Sequence, residues 1–316
     1  MSDTKTKGST KQRLIITVVS FIYLLFSPLA LAANAVENET TEPEPYLEPE
    51  SEFKAILTEA NHDDLFELID RGIIRVAVTY SKTHYFVEGG AQYGLSYEML
   101  REFETYLNKR YKSRRKGRAL SIVAVPVARD ELIKKLAKGE AELAVANLTI
   151  TPERLTKADF SIPVIKQVNE IVVASANASI LSNLSDISGK TFYIRESSSF
   201  YTHLTELNSK LVAQGLKPAK VIPADEHLEV EDLMEMANAD LIDYTIVDSH
   251  IADLWQKIFD NIIVYKDLTV HSGGSIAWAV RKNTPNLIYE VNRFLKRIYY
   301  PAAIITIGNM ALDFFT

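Results

Sequence analysis

Residues 146–161 read ANLTITPERLTKADFS and set a helix start, an arginine and a row of free backbone donors side by side. Thr151 is a good N-cap, and Pro152 suits the first helical position, where its missing N–H is not needed. Arg154 then falls in the first turn, beside N–H groups that have no partner within the helix and favour an anion. A planar guanidinium there can hold a carboxylate by two parallel hydrogen bonds. The same spacing also fits an ordinary capped helix carrying a surface arginine.

Strand-like and helical patterns alternate on both sides of this segment. Upstream, residues 73–79 and 120–127 are strand-like, and residues 96–110 carry Met99, Phe103 and Leu107 at helical spacing. Residues 130–138 read as a helix stopped by Gly139, and residues 143–147 as the strand that delivers the chain to Thr151. Downstream, strands are expected at 169–174, 191–194, 219–223, 244–247 and 275–280. Helices are expected at 199–214, 230–237, 249–259 and 285–297. This alternation predicts an α/β protein with mostly parallel sheets. The sequence contains no internal repeat.

At 316 residues the chain has room for two domains of ordinary size, and 47% hydrophobic with 24% charged residues is a globular composition. It contains no cysteine, which excludes disulfides, thiolate metal sites, a cysteine nucleophile and a lipoprotein anchor. Lys5, Lys7, Lys11 and Arg13 precede an apolar stretch at 14–27, and Ala30-Leu31-Ala32 follows it as a cleavage signature. Residues 1–32 are therefore expected to be a signal peptide cleaved near Ala32, giving a periplasmic protein. The alternative is an inner-membrane anchor formed by residues 14–33. The formal charge is −6, and loss of the basic leader makes the rest more acidic, so nucleic acid is a poor partner. Residues 33–59 form an acidic, Pro/Glu-rich linker, whose centre ENETTEPEPYLEPESE (37–52) is read either as a tether or as a plain spacer. The basic run KRYKSRRKGR (109–118) reads as a solvated loop, with contact to an anionic lipid or cell-wall polymer as the alternative.

Four segments carry a family resemblance: LTITPERLTKADFSIP (148–163), DISGKTFYI (186–194), ADLIDYTIVDSHIA (239–252) and GSIAWAVRKNTPNLIYEVNRFL (274–295). Together they resemble the family 3 periplasmic solute-binding proteins, the amino-acid receptors of ABC importers, over residues 70–297. Within that superfamily IDYTIVDS and ITPER look most like the non-catalytic N-terminal module of membrane-bound lytic transglycosylase F. The resemblance implies a two-lobe, type II periplasmic-binding-protein-like α/β fold with a hinge of two crossing strands, near residues 163–168 and 270–275. It implies a solute-binding domain at 60–300, with lobe 1 at about 60–165 and 274–300, lobe 2 at about 168–270, and a tail at 301–316.

The resemblance also implies site residues. Arg154 matches the arginine that pairs with a ligand carboxylate, and Thr149 a threonine of the same cradle. Asn147 stands where many members have glycine. Asp248 matches the lobe 2 aspartate that takes the ligand ammonium, although a carboxylate ahead of SHIADLW would also serve as an N-cap. Tyr85 lies where the family places an aromatic against the ligand side chain, with lobe packing as the other reading for it and for Phe86. Ser197, Ser198 and Ser199 open the lobe 2 helix, where hydroxyl and backbone donors can reach a ligand. In YGLSYEM (93–99), Ser96 replaces the first acid of the family segment.

Catalysis finds little support. Glu196 in RESSSF (195–200) resembles the Glu-Ser context of lytic transglycosylases, but the Gly-Leu-Met-Gln-type segment of such domains does not follow it. Histidines 62, 84, 203, 227, 250 and 271 have no metal-ligand spacing, and the sequence has neither a G-x-S-x-G elbow nor a P-loop. No catalytic residue, metal or cofactor is expected. The resemblance implies an exported receptor that closes over a zwitterionic amino acid or short peptide, including peptide released from the cell wall. Its role would be uptake or sensing, with an ABC permease or a cell-wall component as partner. The alternative is the ligand-binding regulatory module of a murein lytic transglycosylase F-like protein lacking its catalytic domain, with a dehydratase on the same fold as a third reading.

Overall fold

A computed structural model describes residue 55 and residues 57–299. The expected signal peptide (1–32), the tail (301–316) and most of the acidic linker (33–59) lie outside the described residues.

The first part of the chain runs α1 (Leu65–Arg71), β1 (Ile73–Val78), a short hairpin β2 (Phe86–Glu88) and β3 (Ala91–Tyr93), α2 (Leu95–Arg110), β4 (Ser121–Pro126), α3 (Leu132–Ala137), β5 (Leu143–Thr149), α4 (Pro152–Lys157) and β6 (Asp159–Phe160). The second part runs β7 (Ile165–Ser175), β8 (Thr191–Ile194), α5 (Ser199–Ala213), β9 (Lys220–Pro223), α6 (Val230–Asn238), β10 (Tyr244–Asp248) and α7 (Ser249–Trp255). The chain closes with β11 (Ile262–Val280) and α8 (Pro285–Tyr299).

The β5 strand shows why the first half forms. Its side chains alternate between two apolar layers, as period two requires: Leu143 and Val145 join Phe103, Trp278 and Phe294, while Ala144, Ala146 and Leu148 join Leu132 and Leu136. A strand buried on both faces must read as a continuous apolar run, and LAVANL does so until Asn147. The second half packs its own core, in which Phe192, Phe200, Leu204, Ile246 and Trp255 meet.

Neighbouring strands follow the order β4-β1-β5-β11-β7-β10-β8-β9, with β6 on β11. The outer pairs are parallel: β1 with β4 and β5, and β8 with β9 and β10. The central pairs are antiparallel, because β7 and β11 run in opposite directions between the halves. The sheet is thus mixed rather than mostly parallel, and β11 begins well before the expected residue 275. At the crossing, Ile276 pairs with Ile165, Ser275 with Lys166 and Gly274 with Val168, and the register shifts repeatedly along the ladder. These two crossing strands make the hinge of a two-lobe type II α/β fold.

Candidate ligand-binding site

The site begins where β5 ends. Asn147 and Thr149 project from the same strand face as Val145. Thr151 caps α4 by accepting from the Arg154 N–H at 3.2 Å. The Arg154 guanidinium turns back toward the strand: Nη1 donates to the Thr149 carbonyl at 2.8 Å, and Nη2 crosses to the Ser197 carbonyl of the other half at 2.9 Å. Facing it, β10 ends on Asp248 and α5 starts after Ser198. Asn147, Thr149, Arg154, Ser198, Ser199 and Asp248 line one narrow cleft, partly open to solvent.

Asp248 stands at the N-cap of α7, yet its carboxylate caps no helix N–H. Instead Oδ2 accepts from Asn147 Nδ2 at 2.9 Å, while Oδ1 is buried and without a hydrogen-bond partner. Asn147 Oδ1 lies 3.0 Å from His250 Nε2, so the ring carries its proton there and donates. Burial, and the Glu170 carboxylate paired with Asp248 across β7 and β10, push the Asp248 pKa up to about 7. Burial and the neighbouring Arg129 push Arg154 down to about 10, so it keeps its charge at neutral pH. Burial lowers His84 to about 3 and His250 to about 4, leaving both rings neutral. Thr149 Oγ1 lies 3.4 Å from Ser199 Oγ, which donates to Glu170 at 2.7 Å; His203 Nδ1 is 2.7 Å from the other Glu170 oxygen.

Several residues of the site carry no mark in the sequence. Arg129, just after β4, donates through Nη1 to both oxygens of Glu229 at 3.1 and 2.9 Å and through Nη2 to the Asn147 carbonyl at 2.9 Å. Glu229 precedes α6 in the other half, and Arg195 lies 3.4 Å from its second oxygen. Glu231, two residues on, accepts from Ser81 Oγ at 2.5 Å and the Thr83 N–H at 3.1 Å. These bonds join the two halves directly.

Other expected residues fall elsewhere. Tyr85 is only 4% exposed, meets Tyr80 and Tyr97 edge-on, and donates to Gln92 at 3.0 Å. It packs in the first half and does not line the cavity; His84, its neighbour, does. Phe86 stacks on Tyr93 within the hairpin. The Ser197 hydroxyl donates to Glu226 at 2.5 Å, so this residue offers the site only its carbonyl. The Ser198 hydroxyl donates to the Arg195 carbonyl and accepts from the Tyr201 N–H, so it serves the start of α5. Glu196 is exposed and lines an outer hollow with Lys134 and Lys157. In the basic run, Arg114 pairs with Asp70 at 2.5 Å, and Arg115 is buried against the carbonyls of Ile69 and Ala119. Among the described residues, no three His, Asp or Glu side chains are grouped to hold a metal ion.

The chain is similar to known proteins in both sequence and fold. It is 25% identical over 234 residues to a membrane-bound lytic murein transglycosylase F of Desulfosudis oleivorans, covering 74% of this chain and 47% of that protein. The namesake from Ectopseudomonas mendocina is 27% identical over 228 residues, covering 72% and 43%. The chain therefore spans less than half the length of these curated relatives. Among solved structures, an ancestral arginine-binding protein bound to arginine matches with a TM-score of 0.61 at 20% identity, covering 78% of this chain and all of that one. The arginine-bound form of truncated ArgBP from T. maritima matches at 0.59 and 20%, covering 74% and 100%. At such identities the structures speak for the fold alone. Residues 73–302 match the model of the bacterial extracellular solute-binding proteins, family 3, and the chain belongs to that family.

Proposed function

We propose that the chain binds an amino acid, or a short peptide, as a zwitterion between Arg154 and Asp248, and does no chemistry on it. The observation that carries this reading is the state of Asp248: a buried carboxylate that caps nothing, has one bare oxygen, and shares a cavity with a guanidinium from the other half. A ligand ammonium would take the donor position of Asn147 Nδ2, and a ligand carboxylate would take the Nη2 donor now given to Ser197. Because the halves already meet across the cleft, the ligand would enter as they part about the β7–β11 hinge and be clamped at both ends as they close again. The solved neighbours named for amino-acid binding support a ligand of this size. The family is extracellular, and we place the protein in the periplasm after cleavage near Ala32, serving an ABC permease or a sensing role. Among the described residues no helix is long and apolar enough to cross a membrane.

Calorimetric titration with the amino acids tests the clamp. Arg154→Ala and Asp248→Ala should each still fold, yet each leaves one ligand charge without a partner in a desolvated cleft. Such a loss is typically about 3–5 kcal/mol, roughly two orders of magnitude or more in affinity. Arg154→Lys should also bind poorly, since an ammonium cannot make the two-pronged contact. Folded alanine variants that keep wild-type affinity would refute the clamp.

A second reading has its own support in the transglycosylase F relatives: the domain would sense a cell-wall peptide and regulate murein cleavage carried out by a catalytic domain. Purified sacculi incubated with the chain should then release no anhydromuropeptides, whereas binding of cell-wall peptides should exceed that of free amino acids.

A further inference from the structure

We infer that the ligand side chain is aliphatic and uncharged, and that it enters an apolar chamber beside Asn147. This rests on the zwitterion clamp proposed above. The chamber is a small hollow, partly open to solvent, walled by Met99, Val145, Val164, Ile165, Ile276 and Trp278. It meets the cleft at His84 and Asn147, which line both spaces.

The β5 strand orders the parts. Thr149 and Asn147 line the cleft, and Asn147 and Val145 line the chamber, so the strand leads from one space to the other. The Thr149 rung holds Arg154, the Asn147 rung holds Asp248, and the Val145 rung opens into the chamber. An amino acid whose carboxylate and ammonium meet the first two rungs therefore has the chamber beside it for its side chain. The cleft is also lined by Arg129, Glu229 and Arg195, and the Glu229 carboxylate pairs with both guanidinium groups.

The lining decides the chemistry. No Asp, Glu, Lys or Arg faces the chamber, and its polar members are His84, Ser96 and Asn147. His84 is held neutral by burial, and Asn147 is an uncharged amide whose Oδ1 faces His250, so neither supplies a countercharge. A guanidinium, ammonium or second carboxylate placed there would lose its hydration with no countercharge. A branched or thioether side chain gains by leaving water and needs no partner. The chamber thus selects against arginine, although the matched structures hold it.

The test titrates the full chain with leucine, methionine, alanine, arginine and glutamate. Leucine or methionine should bind at least tenfold tighter than alanine, and tighter than either charged amino acid by a similar factor. Met99→Phe, which puts a rigid ring in place of a flexible side chain on the chamber wall, should weaken leucine about tenfold and leave alanine within twofold. Ile165→Glu should weaken leucine and strengthen arginine, and it keeps the test alive if the first variant folds poorly. Arginine or glutamate binding tightest, with affinity lost in Arg154→Ala, would overturn the chamber while the clamp stood. Leucine binding that responds to Met99→Phe but not to Arg154→Ala would overturn the clamp alone. No binding by any of the five would overturn both.

Discussion

Asn147 has a φ of +51°, a left-handed conformation that glycine adopts freely and asparagine tolerates better than most residues. It lies where the pairing of β5 with β11 slips, between the Leu148–Ala277 and Ala144–Ala279 partners. The Asp248 carboxyl that accepts from it sets a pH dependence. With its pKa raised to about 7, Asp248 is protonated below that value and cannot pair with an ammonium. Affinity for a zwitterion should therefore rise about tenfold from pH 6 to pH 8, and binding near pH 6.5 should release a proton. Calorimetry in buffers of different protonation enthalpy reads both, and Asp248→Asn should flatten the profile. Folding has the opposite sign. The native state keeps a proton that the unfolded chain sheds above its ordinary value of 3.8, so this group's contribution to stability is present at low pH and fades as pH climbs to 7. Arg154 was legible because a cap, a proline and an arginine sit within four residues of sequence. Arg129 and Glu229 were not, since they stand 100 positions apart as single charges with no period.

Helix α2 starts without a side-chain cap, and a carbonyl from elsewhere does the work. The His84 carbonyl accepts from the N–H groups of Ser96 and Tyr97, which locks the loop carrying His84 onto the helix start. Gly94 permits this approach: its φ is +114°, and a Cβ there would stand 2.4 Å from the His84 carbonyl oxygen. Gly94→Ala should therefore destabilise by about 1–3 kcal/mol in urea unfolding and weaken ligand binding, because His84 must shift. Gly89→Ala, in the exposed turn of the β2–β3 hairpin with open space around it, should leave binding unchanged. An equal effect on binding would remove the link between this helix start and the site. Apolar periodicity marks the long helices, because each buries a stripe, but it reaches only the last six residues of β11, whose earlier part is mostly half-exposed. The hairpin was missed: its strands are three residues long and largely exposed, so they carry almost no apolar pattern. The Gly89-Gly90 pair between them, both with positive φ, was the available signal.

No periodicity reveals that the chain builds two halves, because the halves do not repeat one another; that division came from the family resemblance. Tyr85 shows the limit of carrying roles over by position, since a shift of one residue along the loop brings His84 to the cavity instead. At the crossing, however, the geometry carries an architectural meaning. The chain leaves the first half at Lys166 and returns at Ser275, and these residues are partners in the sheet. The whole second half is thus spliced into the first as a guest, with its two ends side by side at the door. Replacing residues 167–274 by Asn-Gly, a natural turn for an antiparallel pair, should leave a host that folds alone with Ile165 still against Ile276. Circular dichroism and a cooperative melt of that miniature protein measure this, and a molten or aggregated product would show that the host needs its guest.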